Sequence, residues 1–163
     1  MISKHLSAAG KKYTILSAGW QDFGELYRLE RICFKEDAWP FPDVLGVLTL
    51  PSIIRLKAVN ENKMVGFIAA DLRRRDHTAW IATFAVLPEH RRSGLGTALL
   101  ETCENEISLP VIKLSVRRSN TPAISLYEKY GYHQVDIWPK YYQGKEDALI
   151  LEKTSPTSEV KLG

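Results

Sequence analysis

The segment from Thr78 to Val116 places a strand, a glycine turn, a helix and a second strand in direct succession. The β-like run TAWIATFAVL stops at Pro88, which cannot donate to a strand ladder. Apolar residues four apart from Leu95 onward then predict a helix that ends before Pro110. The run VIKLSV alternates between apolar and polar residues. We therefore predict that strands 78–87 and 111–116 are parallel neighbours in one sheet.

The turn inside this unit has the pattern Arg91-x-x-Gly94-x-Gly96 and lies directly before the helix. A helix start leaves backbone N–H groups without intrahelical partners, and glycines let a phosphate approach them. The sequence lacks GxxxxGK[ST] and GxGxxG, which excludes a P-loop and the dinucleotide fingerprint. The pattern favours an anion site, although a plain helix cap with surface arginines has the same residues.

The composition describes a globular chain without a special solvent or redox environment. With 163 residues, 45% of them apolar, the chain is long enough for one well-packed domain, which we place at residues 13–153. We expect residues 1–12 and 154–163 to be flexible. Basic residues exceed acidic ones by only 22 to 19, a net charge of +3 that is too small to indicate nucleic acid.

Cys33 and Cys103 lie far apart and belong to no CxxC motif, so we interpret both as reduced thiols of a cytoplasmic protein. No apolar run reaches the length of a membrane span and no signal peptide is evident, so no membrane association is expected. The histidines lack metal-ligand spacing, which predicts no metal site; they are His5, His77, His90 and His133.

The remaining segments predict further strands and helices. Tyr13–Ser17 is β-like, and the runs 52–59 and 65–72 form a hairpin pattern. Asp22 is placed to cap a helix, and the Pro-rich segment DAWPFP should be a loop before a second helix at about 43–50. The Arg73–Arg75 run should be a solvated hairpin tip. Thr121 and Pro122 start a last helix, which stops at Gly131.

Three motifs resemble one enzyme superfamily, the GNAT-type N-acetyltransferases. FAVLPEHRRSGLGTALLE resembles their acetyl-CoA-binding signature, and LSVRRSNTPAISLYEKYGY resembles the strand, loop and helix that follow it. WPKYYQGKEDALIL resembles the C-terminal loop of the protein N-terminal (N-alpha) acetyltransferases of the ribosomal-protein (RimI-like) group. The resemblance covers about residues 13–152. It implies an α/β fold, a mostly antiparallel sheet with a splayed central parallel pair and helices on both faces.

The resemblance also implies a binding site for acetyl-CoA, with no metal. The pantetheine arm would pair with the backbone around Phe84, Ala85 and Val86. Arg91 and Arg92 would add positive charge, and Asn120 would hydrogen-bond the pantetheine, unless it is only a turn residue. The pyrophosphate would rest on six successive backbone N–H groups, those of Arg92, Ser93, Gly94, Leu95, Gly96 and Thr97.

Catalytic roles follow from the same resemblance. Tyr127 matches the family tyrosine that protonates the departing thiolate, a role that a phenol suits; the alternative is a core aromatic. Ser115 occupies the position where relatives carry a Glu or His base, and serine has no useful basicity. Glu36 resembles a loop glutamate near the substrate amine, although Asp37 is adjacent and a plain surface carboxylate is an equal alternative.

The expected substrate is an N-terminal amine. An α-amine with a pKa near 8 is roughly a tenth neutral at pH 7, whereas a lysine amine is about one part in 2,500 neutral, so an α-amine needs less help from a base. Tyr141 and Tyr142 match the pair that binds the first residues of the peptide, or else pack the hairpin. The predicted partner is a peptide or protein N-terminus. The protein itself is expected to be a monomer or a weak homodimer.

Three alternatives stay open at this point. An enzyme of the same fold would acetylate a small-molecule amine or lysine. A non-catalytic acyl-CoA-binding regulator would explain the serine at position 115. A partner-binding subunit would bind no coenzyme at all.

Overall fold

The computed structural model describes residues 3–154 and contains eight strands and four helices. The parts of the predicted flexible ends at residues 1–2 and 155–163 lie outside the described residues. The strands are β1 (Ser3–Ala8), β2 (Lys11–Ser17), β3 (Ile53–Asn60), β4 (Lys63–Arg73), β5 (Thr78–Val86), β6 (Val111–Arg117), β7 (His133–Trp138) and β8 (Ala148–Thr154). The helices are α1 (Phe23–Phe34), α2 (Phe41–Thr49), α3 (Leu95–Glu106) and α4 (Thr121–Lys129).

The strands follow the order β1-β2-β3-β4-β5-β6-β8-β7 in one mixed sheet. The pairs β1–β2, β2–β3, β3–β4, β6–β8 and β7–β8 are antiparallel. The pair β5–β6 is parallel, with Thr78 opposite Val111 and Ile81 opposite Leu114. The predicted mixed sheet with its parallel strand–helix–strand unit is confirmed.

The chain divides into two compact units. Of the described residues, the first holds 3–71 and 82–107, and the second holds 72–81 and 108–154. Because β5 runs from the second unit into the first, the strand–helix–strand segment contributes to both.

Helices pack on both faces of the strands in the first unit: Thr83 of β5 bonds Glu30 of α1, whereas the next residue, Phe84, lies beside Gly96 of α3. Leu26 and Leu29 of α1 are fully buried, as the helical spacing predicts. Leu95, Leu99 and Cys103 of α3 are buried in the same way. A side chain at Gly66 of β4 would approach the Leu99 Cδ1 atom to 2.9 Å, so this glycine is required by packing.

The first correction concerns the N-terminus. Residues 3–8 form β1, which pairs with β2 from Ser3 opposite Leu16 to Ala8 opposite Lys11, whereas the sequence predicted a flexible segment. The turn between the strands consists of Ala9 and Gly10, both with positive φ. Two such residues make the hairpin turn whose twist matches the strands. Leu6 and Ala8 are the only apolar residues of β1, so the sequence of this strand carries little apolar signal.

Two predicted helix starts also change. Asp22 lies at the start of α1, but its carboxylate accepts from the Gly19 N–H at 2.9 Å and from Lys57 Nζ at 2.6 Å. It makes no capping bond to α1. The second helix begins at Phe41, not 43, because Pro42 fits in a first turn, where no N–H acceptor is needed.

The second unit is built on the alternation in β6. Ile112, Leu114 and Val116 are buried, while Lys113, Ser115 and Arg117 between them are half-buried on the other face. Helix α4 begins at Thr121 as predicted. Its cap is Asn120 rather than Thr121, because the Asn120 carbonyl oxygen accepts from the Ala123 N–H at 3.4 Å.

Candidate functional site

The turn before α3 has the geometry of an anion site. Arg92 and Gly94 have φ of +56° and +78°, so the backbone curves sharply just before the helix begins at Leu95. The Ser93 hydroxyl donates to the His90 carbonyl at 2.6 Å and holds the curve in place. The N–H groups of Gly96 and Thr97, in the first helical turn, have no acceptor within the helix. Such a turn attracts an anion through its N–H groups and the helix dipole.

The two glycines of this turn have different structural reasons. A side chain at Gly94 would meet nothing within 4 Å, but its left-handed backbone strongly favours glycine. At Gly96 an added Cβ would contact the Phe84 ring at 3.5 Å, an ordinary distance. Neither glycine is needed to avoid a clash within the protein. The open space above the turn therefore fits an approaching ligand.

Arg91 does not extend freely from the turn. Its Nε donates to the Val86 carbonyl at 2.9 Å, and the Cys33 thiol contacts the same oxygen at 3.6 Å. The arginine thus lies back along the end of β5, the strand whose residues Phe84, Ala85 and Val86 were predicted to bind pantetheine. Phe84 and Val86 are half-buried, whereas Ala85 is buried.

Glu30 of α1 is a functional candidate that the sequence reasoning missed. Its side chain is 1% exposed, and one carboxylate oxygen accepts from the Thr83 hydroxyl of β5 at 2.6 Å. The other oxygen, Oε2, has no hydrogen-bond partner within residues 3–154. Burial raises the pKa of Glu30 above its ordinary value, against the lowering effect of Thr83 and the Trp39 backbone. A charged residue on the apolar face of α1, between Leu26 and Cys33, was the available signal.

We expect Glu30→Gln to stabilise the protein at neutral pH. Because the folded state raises the pKa of Glu30, its contribution to stability is present below the ordinary value of 4.5 and is lost as pH rises through the folded pKa. Glutamine keeps an acceptor for Thr83 and carries no charge. The difference in Tm between variant and wild type should grow between pH 4.5 and pH 8. The exposed Glu36→Gln is the control, and an equal growth there would refute the assignment.

In the second unit, the structure brings two predicted site residues together. The Tyr142 hydroxyl donates to the Ser115 hydroxyl at 3.2 Å. The residue predicted to bind the substrate peptide therefore contacts the position that the family resemblance aligns with a base. Either hydroxyl can be the donor in this bond, because both O–H groups rotate.

Tyr127 belongs to the same unit and is buried, with 7% exposure. Its ring packs edge-on against Tyr132, with centroids 5.6 Å apart. Burial, and then the nearby Tyr142, raise the pKa of Tyr127 well above its ordinary value. The phenol is therefore fully protonated at physiological pH, which suits a proton donor and excludes a resting base.

An ion pair fixes the loop that carries Tyr142. Glu146 accepts from the Ser119 N–H at 2.7 Å and from Arg117 Nη1 at 2.7 Å. These bonds, the Ser119 bonds first, lower the pKa of Glu146 to about 2. The Arg117 guanidinium lies 4.9 Å from the Tyr142 ring centroid. The loop is therefore held by charged groups over the whole physiological pH range.

The other predicted residues occupy surface positions. Glu36 is exposed in a short 3-10 turn at Lys35–Asp37, and Asp37 is half-buried beside it. Tyr141 is 54% exposed and packs on Trp138 and Tyr142. The Asn120 carbonyl oxygen is used by the α4 cap, so a ligand would meet its amide N–H group. Within residues 3–154 no cluster could hold a metal ion, and no helix is long and apolar enough to cross a membrane.

Comparison with known proteins defines the class. The model of the Acetyltransferase (GNAT) family matches residues 20–132, so the chain belongs to that family. It is an N-acetyltransferase that takes its acetyl group from acetyl-CoA.

Several relatives have names that describe acetylation of protein N-termini. The chain is 29% identical to the N-alpha-acetyltransferase of Saccharolobus solfataricus, over 88% of the chain and 94% of the relative. It is 34% identical to the ribosomal protein bS18-alanine N-acetyltransferase of Escherichia coli K12, over 60% of the chain and 69% of the relative. A crystal structure of the ribosomal-protein-S18-alanine N-acetyltransferase from Escherichia coli matches with a TM-score of 0.80 and 28% identity, over 87% of the chain and 93% of that structure.

Proposed function

We propose that the protein transfers an acetyl group from acetyl-CoA to the N-terminal α-amine of a protein or peptide, of the kind that ribosomal-protein acetyltransferases modify. The observation that carries this proposal is the contact between Tyr142 and Ser115. It joins the residue expected to hold a peptide N-terminus to the position expected to face the reacting amine. The named N-alpha relatives support the same acceptor.

The coenzyme would be held by the first unit at its diphosphate. The curved turn at Arg92–Gly94 and the first N–H groups of α3 provide donors, and Gly94 and Gly96 leave the approach open. The end of β5 offers backbone groups to the pantetheine amides. Arg91 stays on the Val86 carbonyl through Nε, so its remaining N–H groups are the ones available to a phosphate.

The chemistry would be direct transfer through a tetrahedral intermediate. The neutral amine attacks the thioester carbonyl, and the intermediate collapses by expelling the coenzyme as a thiolate. Tyr127 would give its phenolic proton to that sulfur, because the buried phenol is fully protonated, and it would regain a proton from solvent when the products leave. The proton lost by the amine must go elsewhere, and no carboxylate or imidazole occupies position 115.

The amine would lose its proton mainly to water, with Ser115 and Tyr142 ordering the site. An α-amine is roughly a tenth neutral at pH 7, so this route costs only about tenfold in rate relative to a fully neutral amine. Glu36 is the second candidate acceptor. Its exposed position leaves its carboxylate accessible to solvent and substrate.

A pH–rate comparison separates these routes. Ser115→Glu should raise kcat/KM most below pH 7, where neutral amine is scarce, because it supplies a base at that position. Ser115→Gln is the control, because glutamine has the same size as the introduced glutamate but is not a base. If both variants behave alike at low pH, position 115 does not face the reacting amine. Glu36→Gln should lower the rate and remove an acid-limb pKa only if Glu36 is the base.

The acceptor is tested by incubating a mixed library of N-terminal peptides with acetyl-CoA. Mass spectrometry of the products should show acetylated peptides and identify the preferred first residues. Turnover of small amines with no peptide acetylation would contradict the proposal. Tight coenzyme binding without turnover of any amine would also contradict it and indicate a regulator.

A further inference from the structure

Four aromatic rings form a continuous row in the second unit. Trp80 and Trp138 stack at 5.7 Å and 26°, Trp138 contacts Tyr141 at 5.3 Å, and Tyr141 contacts Tyr142 at 5.0 Å between ring centroids. One end of the row is Tyr142, which bonds Ser115. The other end is Trp80 of β5, with the Arg73 guanidinium 5.2 Å from its ring centroid.

The row is accessible along its length. Tyr141 is 54% exposed, and Trp80, Trp138 and Tyr142 are half-buried. A hydrogen bond within the unit helps to hold the row in place, because the Trp138 indole N–H donates to Asp136 at 3.2 Å. Rings that are held rigid and partly exposed provide contact area at little cost in side-chain entropy.

The surroundings of the row are basic. The turn beyond Trp80 carries Arg74 and Arg75, which are exposed and have no ion pair within residues 3–154. Lys140 and Lys145 are exposed on the loop that carries Tyr141 and Tyr142. The acidic side chains of that loop are already engaged, since Glu146 pairs with Arg117 and Asp147 pairs with Arg118 at 3.6 Å. Asp76 and Asp136 are also exposed beside the row, but they are outnumbered by four exposed basic residues, so the net charge there is positive; these are Arg74, Arg75, Lys140 and Lys145.

We propose that this aromatic row and the basic turn form a docking track for the acceptor polypeptide, and that the track selects chains with acidic side chains near their fifth residue. The proposal rests on the proposed function, which places the acceptor N-terminus at Ser115 and Tyr142. The three ring spacings together reach at most about 16 Å. An extended chain advances about 3.3 Å per residue, so about five residues bring it to Trp80, where the Arg73 guanidinium lies and the turn with Arg74 and Arg75 begins.

A polypeptide fits this surface better than a nucleic acid does. Stacked rings with arginines also suit single-stranded RNA. However, the row ends at a hydroxyl pair in the proposed acetylation site, and the net charge of the chain is only +3. An acidic peptide satisfies both the charge of the turn and the chemistry at the other end.

The test uses eight-residue acceptor peptides with the same first three residues and Asp, Ala or Lys at positions four to six. With the full chain and acetyl-CoA, kcat/KM should fall in the order Asp, Ala, Lys. The Asp peptide should exceed the Lys peptide about tenfold at low salt, the size expected for two or three exposed ion pairs, and less at high salt. Equal rates for the three peptides would overturn the inference, whereas no acetylation of any peptide would refute the proposed function itself.

Two variants locate the effect. Arg74→Glu with Arg75→Glu should reverse the order of the three peptides. Arg28→Glu with Lys63→Glu makes the same change in charge at exposed sites of the first unit and should keep the order. If the Arg74→Glu, Arg75→Glu variant keeps the wild-type order of kcat/KM for the three peptides, or if the control variant also reverses it, the track is not the source of selectivity.

A length series tests the rings. In wild type, kcat/KM should rise as the acidic acceptor grows from two to about six residues and then level off. Trp138→Ala should lose that gain. A flat series in the wild-type protein would overturn the track even if the variant failed to fold. The inference would also be overturned if a single-stranded oligonucleotide inhibited acetylation and the acidic peptide showed no binding to the protein. That result would indicate a nucleic-acid surface.

Discussion

Gly96→Val is expected to lower the affinity for acetyl-CoA about 100-fold while the first unit stays folded. A branched side chain at the start of α3 would stand where the coenzyme diphosphate approaches the N–H groups. Losing one or two charge-assisted hydrogen bonds costs about 3 kcal/mol, which is about 100-fold in Kd. Within the protein, the first added carbon meets the Phe84 ring at 3.5 Å and a Val86 methyl group at 3.9 Å, which are ordinary contact distances. Calorimetry measures the loss directly.

The chain offers a matched control. Gly24 is the second residue of the 12-residue helix α1, as Gly96 is of the 12-residue helix α3, and a side chain there meets nothing within 4 Å. Gly24→Val should therefore bind acetyl-CoA with wild-type affinity. Gly94→Val should also weaken binding, but its φ of +78° adds about 1–2 kcal/mol of backbone strain. Undiminished affinity in both turn variants would exclude this turn as the diphosphate site.

Tyr127→Phe is expected to lower kcat about 100-fold and leave the affinity for acetyl-CoA nearly unchanged. The substitution removes only the hydroxyl, and general acid catalysis contributes about 10²-fold or more. Because the pKa of Tyr127 is raised, its loss should act equally from pH 6 to pH 9. Steady-state kinetics at saturating substrates measures the effect.

Tyr132→Phe is the control for this prediction. Tyr132 is equally buried and packs against Tyr127, so its hydroxyl is removed from the same part of the second unit. We expect its kcat to stay within a few-fold of wild type. If Tyr127→Phe retains the wild-type kcat, Tyr127 is a packing residue.

Most of the fold could be predicted because its local patterns are strong. The alternation of β6 and the four-residue spacing in α3 each predict which face of the element is buried, and both predictions are confirmed. Strand β1 escaped prediction because it is an edge strand with little apolar content, and its signal lay in the Ala9–Gly10 turn. The Asp22 cap was wrong because Lys57, distant in sequence, competes for its carboxylate.

The candidate site was predicted as residue types rather than as contacts. Position 115 could be identified from the strand pattern, but its bond to Tyr142 depends on the loop that Arg117 and Glu146 fix. A contact between residues 27 apart, set by a non-repeating loop, has no periodic signal. The aromatic row has the same origin, since its rings come from β5, β7 and the loop after it.

The central claim is that the acetyl group goes to a protein N-terminal α-amine. It is tested most directly with one peptide that carries a free α-amine and an internal lysine, incubated with the protein and acetyl-CoA. Tandem mass spectrometry then locates the acetyl group. We expect acetylation at the α-amine, with none at lysine at pH 7 and none on a peptide whose N-terminus is blocked. Acetylation of the lysine, or of the blocked peptide, would contradict it.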